Sequence, residues 1–166
     1  VYAKNGKSPV KLAGYHALNS LRMEKGYLHW GHDIGVEENP FEAGVGFCVN
    51  LNKKNPFLGQ AALEEKKKSG LSKRKINFAL SNNDLLIYHN EPIYFDGKIV
   101  GEISSGMYGF YLDKSLGMGY ISNNDSYSIE EMMSHQKFEI EVAETKYSAE
   151  GSLNCFYDPG REKILV

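Results

Sequence analysis

Short β-prone runs separated by turn clusters fill the chain from Arg74 onward, and this pattern constrains the fold more than any other feature. Such runs, bounded by Gly, Asn, Asp and Ser, are typical of strands. One of the links, Asp96-Gly97, is the strongest short hairpin signal in the sequence. Short strands at this spacing predict a small antiparallel barrel or jelly roll. The six predicted strands are Lys75–Leu80, Glu91–Phe95, Ile99–Ser104, Gly117–Ser122, Phe138–Val142 and Tyr147–Tyr157.

The residues before Ser72 have a different character. Apolar side chains recur at helical spacing in Lys11–Leu28, which predicts a helix. A second predicted helix, Leu58–Lys68, ends in two acids and three bases followed by glycine, the order that the helix dipole favours. Between them, Phe41–Leu51 alternates glycines with bulky side chains, and this alternation predicts an extended segment.

The predicted fold class is therefore α+β and mostly β, a barrel preceded by a helix-containing segment. The change of pattern predicts two domains, residues 1–72 and 73–166. In the barrel domain we expect at most one short helix, over Ser128–His135, capped by Ser126 or Ser128.

Charge and composition exclude several function classes. The chain has 19 basic and 21 acidic residues, so a net charge of −2 gives no reason to expect nucleic acid or a membrane as a partner. No apolar run approaches the roughly 20 residues that span a bilayer, which predicts a soluble protein. Cys48 and Cys155 lie far apart, so a reducing, cytoplasmic location is expected. Because the first residue is Val1 and not Met, we also expect a fragment of a longer protein.

Some candidate sites have simpler explanations. His29, His32 and Asp33 could share a metal ion, but they lie in a glycine-flanked turn and a further ligand would have to come from elsewhere, so we expect no metal site. The glycines between Gly101 and Gly119 are followed by β-prone residues and not by a helix, which favours turns and bulges over a phosphate-binding loop.

One segment suggests ligand binding on chemical grounds. Arg22 lies on the first predicted helix, and Tyr27 and Trp30 follow at the helix exit. A guanidinium beside aromatic rings is a plausible clamp for a flat, anionic ligand. The alternative is a surface arginine with ordinary core aromatics, and the residues alone leave both open.

Five motifs carry a family resemblance. They are SLRMEKGYLHWGHDI at 20–34, NPFEAGVGFCV at 39–49, GEISSG at 101–106, LGMGYI at 116–121 and YDP at 157–159. In this order they resemble the aminomethyltransferase family built on the glycine-cleavage T-protein. The first motif looks especially like the carboxyl-terminal folate domains of sarcosine and dimethylglycine dehydrogenases. The matches run from about Ala13 to Pro159.

The resemblance implies transfer of a one-carbon unit from an amine carrier to tetrahydrofolate. Arg22 matches the family arginine that contacts folate, Trp30 stands where T-proteins have a tyrosine near the ligand, and Tyr27 lies between them. The family's tyrosine near the carboxyl end has no counterpart here. The family aspartate beside the reacting folate nitrogen lies upstream of the arginine helix, so we expect no catalytic residue in this chain and little activity from it alone.

Two other functions stay open. One is a related methyltransferase in which folate takes a methyl group from a sulfonium donor, and the other is a barrel-type binding module without chemistry. Under the resemblance the partners are a small folate and the missing amino-terminal part of the same protein, and FAD would be expected only in an upstream domain. The location would be cytoplasmic, or the mitochondrial matrix in a eukaryote.

Overall fold

The structure, a computed structural model, describes residues 13–82, 84–163 and 165. Its six strands form a closed barrel in the order β1-β4-β3-β2-β5-β6, with β1 paired to β6 and every pair antiparallel. The strands are β1 (Lys73–Leu80), β2 (Pro92–Phe95), β3 (Lys98–Gly109), β4 (Lys114–Ser122), β5 (Phe138–Val142) and β6 (Thr145–Ser152). The predicted fold class and all six strands are thus confirmed.

Several strand boundaries differ from the predicted ones, and the differences are largest at the ends of β3 and β6. Strand β3 continues past Ser104 to Gly109, because its far end pairs with the start of β4. Strand β6 ends at Ser152 and not at Tyr157, since residues beyond it leave the barrel to contact the first helix.

Alternation along the strands fills the barrel with apolar side chains. In β1, Ile76, Phe78 and Leu80 belong to the buried core together with residues from the other strands. The intervening Ala79 is also buried, in a second cluster outside the barrel that contains Met23 of the first helix. Strand β1 is therefore buried on both faces, and its outer face is where the rest of the chain packs.

Three α-helices accompany the barrel. They are α1 (Tyr15–Lys25), α2 (Gln60–Ser69) and α3 (Ile129–His135). Helix α1 ends before Gly26, whose φ of 67° lets its backbone N–H bond back to Arg22 and Met23, so the predicted continuation to Leu28 is wrong. The predicted start at Lys11 and Leu12 lies outside the described residues.

Helix α3 closes one end of the barrel and is capped as expected. The Ser128 hydroxyl accepts a hydrogen bond from the Glu131 N–H, and the Glu131 carboxylate accepts one from the Ser128 N–H, which is a capping box. Ile129 and Met132 then enter the barrel core. Of the two predicted caps, Ser128 is the correct one.

The predicted extended segment Phe41–Leu51 is wrong. It consists of turns and a short 3-10 helix, Gly46–Cys48. The side-chain oxygen of Asn39 accepts hydrogen bonds from the N–H groups of Phe41 and Glu42, and Gly44 has a φ of 78°. Side-chain capping of a turn and a left-handed glycine break the strand pattern that the alternation implied.

Among the described residues, no helix is both long and apolar enough to cross a membrane. The division into domains 1–72 and 73–166 stays a prediction; α1 packs against β3 and β4.

Candidate functional site

The motif at 20–34 folds as a helix followed by a turn that returns over it. Asp33 in this turn is buried, with 1% of its surface exposed. Its carboxylate accepts hydrogen bonds from Arg22 Nη1 at 2.7 Å, from the Ser104 hydroxyl at 2.6 Å and from the His29 N–H at 2.8 Å. Asp33 thus joins α1, the turn and the barrel at one point.

Arg22 is held in a fixed position by four hydrogen bonds. Besides Asp33, its guanidinium donates to Asn19 Oδ1 at 2.6 Å, to the Tyr27 carbonyl at 3.3 Å and to Ser105 Oγ at 3.0 Å. A guanidinium has five N–H groups. Within the described part of the chain, one N–H on Nη2 is therefore left for another acceptor.

A β-bulge lets two neighbouring serines serve the same site. The register between β3 and β4 shifts between Ile103 and Ser105. Ser104 consequently reaches Asp33 while Ser105 accepts from Arg22, although successive residues of a regular strand point to opposite faces. Because of the bulge, both serine hydroxyls of the GEISSG motif contact the Arg22–Asp33 pair.

The other polar residues of the helix anchor it to the barrel. The buried Glu24 carboxylate accepts hydrogen bonds from the N–H groups of Tyr111 and Leu112 at 2.7 and 3.2 Å. Lys25 Nζ donates to the carbonyl of Asp158 at 2.6 Å and forms an ion pair with its carboxylate at 3.2 Å. The YDP motif therefore docks on the end of α1.

Of the three predicted ligand contacts, Arg22 and Tyr27 lie together, whereas Trp30 lies apart from them. Arg22 and Tyr27 line two neighbouring cavities of about 240 and 400 Å³, and Trp30 lines neither. Residues Tyr27 and Trp30 are 54% and 67% exposed. Both rings are thus open to a partner, but only that of Tyr27 lies beside Arg22.

The two histidines of the turn stack on each other with ring centroids 4.7 Å apart. Both line a small cavity of about 160 Å³ with Arg22 and Ser105. The Asp33 carboxylate, which would complete a metal site with them, is already held by Arg22. No group of three His, Cys, Asp or Glu side chains in the described ranges is placed to bind a metal.

Tyr120 and Lys75 are functional candidates that the sequence did not single out. Tyr120 donates its hydroxyl to the Asp33 carbonyl at 2.8 Å, and burial, together with nearby carboxylates, raises its pKa. Burial lowers the pKa of Lys75 to about 8. Alternation along β1 places Lys75 on the outer face of the strand, but only the tertiary structure shows that this face is covered.

Family models match two parts of the chain. The glycine cleavage T-protein C-terminal barrel domain matches residues 73–158, and the GCVT N-terminal domain matches residues 1–53.

Curated relatives cover nearly the whole chain. It is 37% identical over 155 residues to 4-methylaminobutanoate oxidase (formaldehyde-forming) of Paenarthrobacter nicotinovorans, which covers 93% of the chain. It is 31% identical over 165 residues to human mitochondrial sarcosine dehydrogenase, which covers 99% of the chain. The chain spans 18% of the length of each relative.

A solved structure has the same fold. The glycine cleavage system aminomethyltransferase T of Bartonella henselae superposes with a TM-score of 0.68 at 23% identity, over 82% of this chain and 37% of that one. Its fold agrees with the closed barrel, and the barrel family model accounts for more than half of the chain. The chain therefore belongs to the glycine cleavage T-protein family.

Proposed function

We propose that this chain forms part of a tetrahydrofolate-dependent aminomethyltransferase, which passes a one-carbon unit from an amine to tetrahydrofolate. Tetrahydrofolate combines a flat ring system with carboxylates, so its site needs a hydrogen-bond donor beside aromatic surface. Arg22 has one N–H free of described acceptors, and the half-exposed Tyr27 ring lines the same two cavities. These residues fit such a ligand, and this pairing is the observation that carries the proposal.

The proposed role of the chain is to bind and orient the ligand. Arg22 donates its remaining N–H to a carbonyl or carboxylate oxygen, and Asp33 fixes the plane of the guanidinium. Tyr27 covers the apolar part of the ligand, and Trp30 is the third proposed contact. Tetrahydrofolate supplies the secondary amine that accepts the carbon, and a cleft that excludes water protects that carbon from hydrolysis.

We propose that the acid or base of the reaction lies outside this chain. The two buried carboxylates nearest Arg22 along the motif are both engaged: Asp33 by Arg22, Ser104 and His29, and Glu24 by two backbone N–H groups. These hydrogen bonds fix both carboxylates in structural contacts with the turn and the barrel.

The remainder of the cleft would come from the missing part of a longer protein. The curated relatives are several times longer than this chain, which spans 18% of their length. We place any FAD in that missing part. The proposed location is the cytoplasm, or the mitochondrial matrix in a eukaryote, as the name of the human relative suggests.

A single-turnover assay with tetrahydrofolate and an aminomethyl donor tests this proposal, because that carbon is already at the oxidation level of methylene-tetrahydrofolate and its transfer releases the amine without an oxidant. We expect methylene-tetrahydrofolate from the full-length protein and very little from the 166-residue chain alone. A normal enzymatic rate from the chain alone would show that the acid or base is within it. Absence of product from the full-length protein with every donor tried would favour a non-catalytic module.

A further inference from the structure

A further cavity, of about 570 Å³, lies between the end of α1, the outer face of β1 and the carboxyl-terminal segment. Three basic residues line it, Lys25, Lys75 and Arg161, and no Asp or Glu of the described ranges does. The chain as a whole has more acidic than basic residues. The charged side chains of the lining are therefore all basic. The cavity shares Lys25, Tyr27 and Leu28 with the cavities beside Arg22, but not Arg22 itself.

The three cations differ in how their charge is balanced. Lys25 is paired with the Asp158 carboxylate at 3.2 Å. The guanidinium of Arg161 lies 5.8 Å from the centre of the Phe47 ring. Lys75 forms no ion pair with any described carboxylate, because its one side-chain hydrogen bond goes from Nζ to the Asn77 Oδ1 at 2.9 Å.

Lys75 is the unusual group of the cavity because it is buried and forms no ion pair among the described residues. Only 7% of its surface is exposed. An ammonium group has three N–H donors, so two lack an acceptor among the described residues. A buried charge without a partner destabilises the folded state. An anion in the cavity would supply both the missing acceptors and the missing charge.

Apolar side chains form the rest of the lining, including Phe47, Val45, Leu28 and Ile34. A fully hydrated inorganic anion would gain nothing from these groups, whereas an organic acid would bury its apolar part against them. We propose that this cavity binds a small organic carboxylate, with the carboxylate group on Lys75 Nζ and Arg161 and the apolar body against Phe47.

The carboxylate could belong to either of two molecules. One is a free small acid. The other is the carboxylate tail of the folate proposed for the neighbouring site, because Tyr27 and Leu28 line both this cavity and one of those beside Arg22. The first source does not depend on the proposed function, and the second rests on it.

Calorimetric titration of the full-length protein distinguishes the sources. Benzoate is the probe for a free acid, and p-aminobenzoylglutamate is the probe for the folate tail. We expect saturable binding of at least one probe. Benzoate that binds but does not compete with tetrahydrofolate indicates a free acid, and competition by p-aminobenzoylglutamate indicates the tail. Benzoate can bind even if tetrahydrofolate does not, so the carboxylate site and the tetrahydrofolate site can be refuted independently of each other. Failure of both probes to bind would overturn the carboxylate site.

The matched variants are Lys75→Met and Lys73→Met. Methionine keeps an unbranched stem without the charge, so Lys75→Met should fold. Removing a charged hydrogen-bond donor should weaken probe binding about 10- to 150-fold. Lys73 lies on the same strand, pairs with Glu38 outside the cavity, and should be replaceable without effect on binding. Equal affinities of wild type and Lys75→Met would overturn the proposal.

A measurement on the wild type keeps the test independent of the variants. The titratable and charged groups around Lys75 are Asp33, Arg74 and the Cys155 thiol, together with Lys25 and Arg161 of the cavity. A bound carboxylate should raise the pKa of Lys75 above its value of about 8. A ¹⁵N NMR titration of the Lys75 side chain with saturating probe reads this directly, and an unchanged pKa would contradict the proposed contact.

Discussion

Arg22 forms an ion pair with the buried Asp33, with Nη1 and Oδ2 separated by 2.7 Å, that ties α1 to the turn behind it. The same guanidinium is the proposed folate contact. The pair therefore has two roles. Asp33 orients Arg22 for the ligand, and Arg22 balances the charge of the buried Asp33 carboxylate. Substitutions at Arg22 must be judged by their effects on both stability and affinity.

The first prediction is that Arg22→Ala destabilises the protein. Asp33 is left buried with the Ser104 hydroxyl and the His29 N–H as its remaining donors. Breaking a buried pair lowers the free energy of unfolding by about 3 to 5 kcal/mol. The control is Lys137→Ala, which removes an exposed ion pair with Asp96 at 3.7 Å and should change the free energy of unfolding little. Urea unfolding of the full chain measures both, and equal stabilities would contradict a structural role for the pair.

The second prediction concerns Lys75 and pH. Its pKa is about 8 in the folded state and 10.5 in the unfolded chain, so the unfolded state binds more protons between these values. The free energy of unfolding should therefore rise with pH from about 8 to 10.5, by about 3 kcal/mol relative to Lys75→Met. Denaturation curves across this range test it. Parallel pH profiles for the two proteins would mean that Lys75 is not desolvated.

Gly101 supports the third prediction. A Cβ at this position would collide with the backbone carbonyl of Tyr120 on the neighbouring strand β4. Because backbone cannot move aside without breaking the ladder, Gly101→Ala should cost about 3 kcal/mol, the upper end for overpacked sites. Gly14→Ala is the control, since no atom of the residues that the structure describes lies within 4 Å of its Cβ position. Thermal unfolding of both variants separates a steric clash from a general effect of alanine.

The fourth prediction tests the cap of α3. Ser128→Ala removes the hydroxyl that accepts from Glu131, and loss of such a cap lowers the free energy of unfolding by about 1 kcal/mol. Ser126→Ala is matched in chemistry, but the Ser126 hydroxyl contacts only the exposed Lys98 among the described residues. If Ser126→Ala lowered the free energy of unfolding more than Ser128→Ala, the cap of α3 would be Ser126 and the prediction would be contradicted.

The barrel was predictable because its signals are local. Alternating side chains and turns such as Asp96-Gly97 specify strands without reference to the rest of the chain, and the observed β2–β3 hairpin turns there. Phe41–Leu51 was mispredicted because side-chain capping by Asn39 decides its conformation, and alternation does not report such bonds.

The site was predictable only in part for a related reason. Arg22 follows from the family motif, but its bonds to Ser105 and Asp33 depend on the β3 bulge and on the returning turn. Lys75 looks like a surface lysine in the sequence, since its contacts come from a distant segment: its N–H bonds to the Glu42 carbonyl and its side chain lies near Gly44. Local pattern predicts elements, whereas contacts between distant segments decide which polar residues become functional.

The most direct measurement of the central proposal is calorimetric titration of tetrahydrofolate into the full-length protein and its Arg22→Lys variant. Lysine keeps the charge beside Asp33, so the variant should stay folded, but a point charge cannot replace the planar fork of arginine. We expect saturable binding by the wild type and about tenfold weaker binding by Arg22→Lys, with Arg22→Ala weaker still. No saturable binding by the wild type, or equal affinities for wild type and Arg22→Lys, would contradict the folate site.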